Sequence, residues 1–186
     1  MPQATRSAFF YEKIRYTAPM NMGKTHCHDH FEIYYLLSGE RRYFIDNRIY
    51  DVRAGDMVLI PHGMLHKTTS IQAEHERILL AVPQEWIPLT LQNCFDSHCL
   101  HIPTQDRADI EWIFRQIGRE YTRGDPFSEQ LLRQYVFQLF VCLKRLTEKN
   151  PLTIVSHPQD TMAERAARYI CEHYQEPLKL ETVARE

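Results

Sequence analysis

The 186-residue chain lacks most of what would take it out of an aqueous compartment. No apolar run approaches the ~20 residues that span a bilayer, so no membrane partner is expected. There is no surplus of either charge. Lys and Arg number 22 against 24 Asp and Glu, a net charge of -2 with a pI near 6.5. Nothing global therefore argues for a phosphate-binding face or an acidic membrane surface. The opening, MPQATRSAFFYEKIRY, has no apolar core of the kind a secretory leader needs. The five cysteines (Cys27, Cys94, Cys99, Cys142, Cys171) are odd in number and irregular in spacing. Free thiols in a reducing cytoplasm are the simplest expectation. Internal repeats and low-complexity segments are also missing.

What is present is enough apolar sequence, 44%, to bury an ordinary core. The first hundred residues read as short strands separated by turns. Phe9 to Tyr16, His28 to Leu37, Arg41 to Asp46, Arg48 to Val52, Met57 to Ile60, Leu65 to Ser70, Glu76 to Val82 and Cys99 to Ile102 are the expected strands. Turn signals every 8–12 residues suggest a small antiparallel barrel or sandwich. From Gln105 the period becomes helical, with Ile110, Ile113, Phe114, Ile117 and Tyr121 on one stripe. Gly124-Asp125-Pro126 breaks it. A second helix runs from about Ser128 to Glu148 with a wide apolar stripe. Residues 150–160 read as a proline-containing linker. Thr161 and Glu164 have capping-box spacing for a further helix.

Two patterns carry the chemistry. His26, His28, Glu32 and Gly39 follow H-x-H-x3-E-x6-G, and Gly55, Pro61, Gly63 and His66 follow G-x5-P-x-G-x2-H. On a strand, residues two apart share a face. His26, His28, His30 and Glu32 are thus expected on one face, with His66 arriving from a later strand. Three imidazoles and a carboxylate suit a divalent transition metal such as zinc, nickel, iron or manganese. The bland alternative is that these side chains only hydrogen-bond inside the fold. The same face adds His30, Tyr34 and Leu36 as ligand-binding candidates, with Arg41 and Tyr43 from the paired strand. Cys94, His98, Cys99 and His101 make a second Cys/His cluster, but without paired C-x2-C spacing they read as free thiols and rim histidines. On the second helix, Leu132, Tyr135, Val136, Leu139 and Leu143 are a candidate dimer seam beside their role in the core.

The paired patterns resemble the two motifs of the cupin superfamily, small β-barrels that often hold a metal. Two positions depart: the family's first glycine falls at Met20, and Ser70 stands where an asparagine is common. The tail, AARYICEHYQEPLKLETVARE, resembles the start of the DNA-binding domain of AraC-type transcription regulators through His173, Tyr174, Pro177, Leu178 and Leu180. The resemblance implies a mostly β fold with α: a cupin-like antiparallel barrel (a double-stranded β-helix), then two long helices and a truncated helical tail. It implies a sensor barrel over 1–104, a helical dimerisation region over 105–149, a linker over 150–160 and the start of a helix-turn-helix over 161–186. The expected function is effector sensing and homodimerisation for transcription regulation, with a small molecule such as a sugar in the barrel. DNA would be contacted only through a carboxy-terminal part beyond Glu186. The alternative is a metal-dependent cupin enzyme, a dioxygenase or isomerase. The regulator reading expects no enzymatic activity.

Overall fold

The computed structural model describes residues 9–46, 48–149, 166, 169, 170 and 179–183. Among the described residues are eight strands: β1 (Phe10–Tyr16), β2 (Phe31–Ser38), β3 (Glu40–Ile45), β4 (Arg48–Arg53), β5 (Asp56–Ile60), β6 (His66–Ser70), β7 (His75–Val82) and β8 (Cys99–His101). They form two antiparallel sheets, one in the order β1-β7-β2-β5-β8 and the other β4-β3-β6. The expected barrel is built as two opposed sheets, and among the described residues no ladder joins them. After β7 come a short helix α1 (Leu89–Gln92), then β8, then α2 (Thr104–Arg123) and α3 (Ser128–Lys149).

Period-two alternation divides the buried residues into two cores. Tyr34, Leu36, Tyr43, Ile45, Tyr50, Val52, Val58, Ile60 and Cys99 pack between the sheets. Phe31, Ile33, Tyr35, Met57, Leu59, Ile78, Leu80 and Val82 point the other way and pack against the helices. The five-stranded sheet is therefore covered on both faces. That explains why all five residues of β5, Asp-Met-Val-Leu-Ile, are buried. Tyr35 stacks on Phe114 of α2, ring centroids 5.3 Å apart. Phe31 stacks on Phe95 at 4.3 Å. Such pairs add about 0.5–1.5 kcal/mol beyond the area they bury.

Two glycines fix the connections. Gly39 turns β2 into β3 at φ 88°, and a Cβ there would lie 2.5 Å from the carbonyl oxygen of Glu74. Gly124 ends α2 in the left-handed region, its N–H returning to the Glu120 carbonyl at 3.1 Å.

Two expectations need correction. His26, His28 and His30 do not lie on β2, which starts at Phe31; they occupy the bent approach to it, and only Glu32 is on the strand. An i,i+2 spacing is as compatible with a bend as with a strand. The dimer seam also changes meaning. Val136, Leu139 and Leu143 are fully buried, and Leu132 is 7% exposed, all in the core beneath α3. Tyr135 is only partly buried. The wide stripe is covered by the chain's own α2 and the short helical segments between β7 and β8, where Phe140 meets Phe95. The linker, the capping box at Thr161 and Glu164, and the motif residues from His173 to Leu178 lie outside the described residues. In that tail Leu180–Val183 forms a helical turn.

Candidate functional site

The site is assembled at one end of the space between the sheets. Residues 26 and 66 exchange both backbone hydrogen bonds, His26 N–H to the His66 carbonyl at 3.1 Å and the reverse at 3.0 Å. Pro61 ends β5, and Gly63 (φ 73°) turns the chain so that its N–H donates to the His28 carbonyl at 2.7 Å. The second sequence pattern is thus a backbone brace that carries His66 to the first. The ligating atoms of His26, His28 and His66 lie within 4.8 Å of one another, as do those of His28, His30 and Glu32. Glu32 Oε2 is 3.3 Å from His28 Nε2 and 4.0 Å from His66 Nε2.

The proton positions follow from the partners. His28 Nδ1 lies 2.9 Å from the His30 carbonyl, and His66 Nδ1 3.0 Å from the Met64 carbonyl. A carbonyl only accepts, so both Nδ1 atoms carry the proton. In the neutral rings Nε2 then presents a lone pair. His66 Nε2 and Glu32 Oε1 are buried with no hydrogen-bond partner. His28 Nε2 and Glu32 Oε2 would be two acceptors face to face. Such a meeting needs either a proton or a cation between them. The titration of the rings reflects this. Burial pulls the His28 imidazole down, but the hydrogen bond and charge of Glu32 outweigh it, and the net shift is upward. Burial pulls His66 down and His30 down, the latter helped by His28. His26 is exposed, so the cluster is open to solvent on that side.

The residues present fit a divalent transition metal. Two imidazoles, His28 and His66, are held in the correct tautomer by backbone carbonyls and approach the buried Glu32 carboxylate, and His26 joins them as a third imidazole. His30 stands aside from the brace, stacked on His28 with centroids 3.9 Å apart. Cys94, His98, Cys99 and His101 do not gather. Both cysteines are buried, and His101 Nδ1 is 2.6 Å from Asp56 Oδ1 instead.

Behind Glu32 lies a narrow cavity of about 70 Å³ between the sheets. Tyr34, Arg41 and Tyr43 line it; Leu36 and His30 do not, Leu36 packing further along in the inner core. Sequence reasoning missed His75, Arg77 and Thr68, which also line it. The signal was there in β7. His75, Arg77 and Leu79 alternate with Ile78, Leu80 and Val82, so the polar set had to share one face. Arg77 pairs with Glu12 and sits 5.8 Å over the rings of Tyr16 and Tyr34. The loop before β2 covers this end. Met22 N–H donates to the Thr68 carbonyl, Met20 N–H to Ser70 Oγ, and Arg41 to the Met20 carbonyl.

An opposed pair of antiparallel sheets with a His/Glu cluster between them and two helices packed outside defines a cupin-like fold. The family model described as the AraC-like ligand binding domain matches residues 13–151. The chain belongs to that family. Among solved structures, it is similar to apo ToxT from Vibrio cholerae carrying a lysine-to-alanine substitution, with TM-score 0.50 and 12% identity over 95% of this chain and 69% of that one. A wild-type ToxT with bound unsaturated fatty acid gives TM-score 0.49 and 11% identity over 98% and 69%. A cupin protein from Bacteroides fragilis gives TM-score 0.39 and 19% identity over 44% and 71%. No curated protein matches the chain. No described helix is long and apolar enough to cross a membrane.

Proposed function

We propose that this chain is the effector-sensing part of an AraC-type transcription regulator, and that its sensing site combines the inter-sheet cavity with a divalent transition metal. The metal would be held by His26, His28, Glu32 and His66. The observation that carries the metal is the meeting of lone pairs without donors: His28 Nε2 and the unpartnered His66 Nε2 approach Glu32 Oε2 at 3.3 and 4.0 Å. A bound ion would supply a Lewis-acidic position beside the cavity and, through exposed His26, an open side for a ligand atom. The chain's own residues do the rest. The brace at residues 26 and 66 sets the imidazole spacing, and Glu32 joins the ion's site to the cavity wall.

Sensing further requires that ligand binding favour one arrangement of sheets, helices and following chain over another. The strand that lines the cavity also seats the helices, which supports that coupling. We further propose that two chains pair through the helices, on what they leave outside the core. Trp112 and Tyr135 meet there edge to face at 6.1 Å across α2 and α3, with Trp112 exposed. DNA contact belongs to the carboxy-terminal part, and the free thiols suit a reducing cytoplasm.

The experiment is metal analysis of chain purified without added metal, followed by calorimetric titration of chelator-treated protein with zinc, nickel, iron(II) and manganese. One ion per chain is expected, and His28→Ala abolishes it. A wild-type protein that takes up none of these ions, yet still binds an effector in the cavity, removes the metal from the sensing site.

A further inference from the structure

The cavity behind Glu32 carries a charge that the described residues leave uncompensated. Arg41 is 2% exposed. Its guanidinium donates to the Met20 carbonyl at 2.6 Å, to Ser70 Oγ at 2.6 Å and to Thr68 Oγ1 at 3.3 Å. All three partners are neutral, and its Nε has none. No described carboxylate forms an ion pair with it. A buried guanidinium without a counter-charge is costly, and proteins ordinarily supply one. Two carboxylates near the cavity have other partners, though Glu32 Oε1 has none. Glu12 pairs with Arg77, and Glu32 turns its Oε2 to His28 and His66.

The remaining wall adds mostly donors, with Glu32 Oε1 an unpartnered acceptor beside them. Tyr34 Oη, Tyr43 Oη and Arg77 Nη1 are buried without partners, as is His75 Nδ1. A phenol keeps its proton at neutral pH, so both hydroxyls can donate. Burial and then the positive charge of Arg41 pull His75 down to about 4, so its imidazole adds no charge. Water could satisfy the hydroxyls. It would not neutralise a guanidinium sealed from solvent.

We propose that the effector taken by this cavity is a small organic acid, its carboxylate seated among Arg41, Tyr34 and Tyr43. A planar anion with two oxygens suits a guanidinium flanked by hydroxyl donors. The size, about 70 Å³, supports a compact molecule. The inference rests on reading the chain as a sensor, and it names the chemical class that sensor takes.

The test uses the whole chain and matched probes in calorimetry and thermal shift. Glycolate and pyruvate are compared with their neutral amides, glycolamide and pyruvamide, and with D-xylose. The acids should bind and the neutral probes should not. Tyr43→Phe removes one hydroxyl without changing the ring and should weaken acid binding about tenfold. Arg41→Met should weaken it about thirtyfold or more. Because Arg41 also ties down Met20 and Ser70, Tyr43→Phe carries the test if Arg41→Met fails to fold. Amide or xylose binding as tight as the acids, and equally sensitive to Tyr43→Phe, overturns the anionic class while leaving a sensing cavity in place. Acids that bind with undiminished affinity in Tyr43→Phe overturn the assigned seat. No binding of either acid at millimolar concentration also overturns the proposal.

Discussion

Glu32→Gln separates a metal ligand from a buried hydrogen-bonding carboxylate, because only the loss of a ligand makes the effect depend on the ion. The substitution keeps shape and removes charge. Glu32 is 5% exposed and its Oε1 has no partner, so without metal the native carboxylate is desolvated and incompletely paired. Its one close contact, His28 Nε2 at 3.3 Å, needs a proton to attract. At pH 8, above the ordinary imidazole range, that attraction weakens. Glutamine should then leave the metal-free protein within about 1 kcal/mol of wild type. With metal the loss is larger. Loss of an anionic ligand should weaken ion binding by at least the 10–100-fold that even outer-shell changes cost, and we expect two to three decades. At saturating wild-type concentrations that forfeits about 3–4 kcal/mol of linkage stabilisation. At roughly 2–4 °C per kcal/mol, the variant's Tm should fall about 5–15 °C below wild type in the presence of the ion. The assay is a pair of thermal melts at pH 8, one in chelator and one in excess zinc. An equal Tm change in both would refute Glu32 as a ligand, and a large loss in chelator would refute the description of it as poorly compensated.

Two further outcomes follow from the packing and the charges. The His75 imidazole, lowered to about 4 in the fold against an ordinary 6.5, is protonated more readily when unfolded, so stability should be full above pH 6.5 and decline as pH falls through the window from 6.5 to about 4; His75→Phe, which can keep the stack on Tyr16, should flatten that decline in urea titrations at several pH values. Leu139 is fully buried, so Leu139→Asp should unfold the chain by placing an unpaired charge in the outer core. Trp112→Asp should instead give a folded monomer on a sizing column, and a folded monomer from Leu139→Asp would put the seam back on the stripe.

Much of this arrangement was legible in the sequence. Alternation and turn residues located the strands to within a few positions, and the stripe from Ile110 to Tyr121 located α2. The paired histidine patterns pointed to residues that do come together. What escaped was whatever depends on partners distant in the chain. The approach to β2 looks like strand because His26, His28 and His30 keep a period of two. The brace to His66 and the Gly63 bond to the His28 carbonyl are long-range, and they set the bend. The stripe from Leu132 to Leu143 is apolar whichever surface covers it. Only the packing of that helix on α2 and on the segment around Phe95 shows that the cover is intramolecular. Arg77 and His75 were hidden because β7 reads first as a run of branched residues, and its polar face means something only opposite Tyr34 and Tyr43.

The two faces of β2 have a practical consequence for anyone redesigning this protein. Along this strand, odd and even positions are two separate controls. Glu32 and Tyr34 touch the site and cavity, while Phe31, Ile33 and Tyr35 carry the helices. Libraries confined to even positions would retune what is recognised and leave the readout surface alone. Libraries confined to odd positions would retune how the recognition is transmitted and leave selectivity alone. A single inserted residue would exchange the two and erase both.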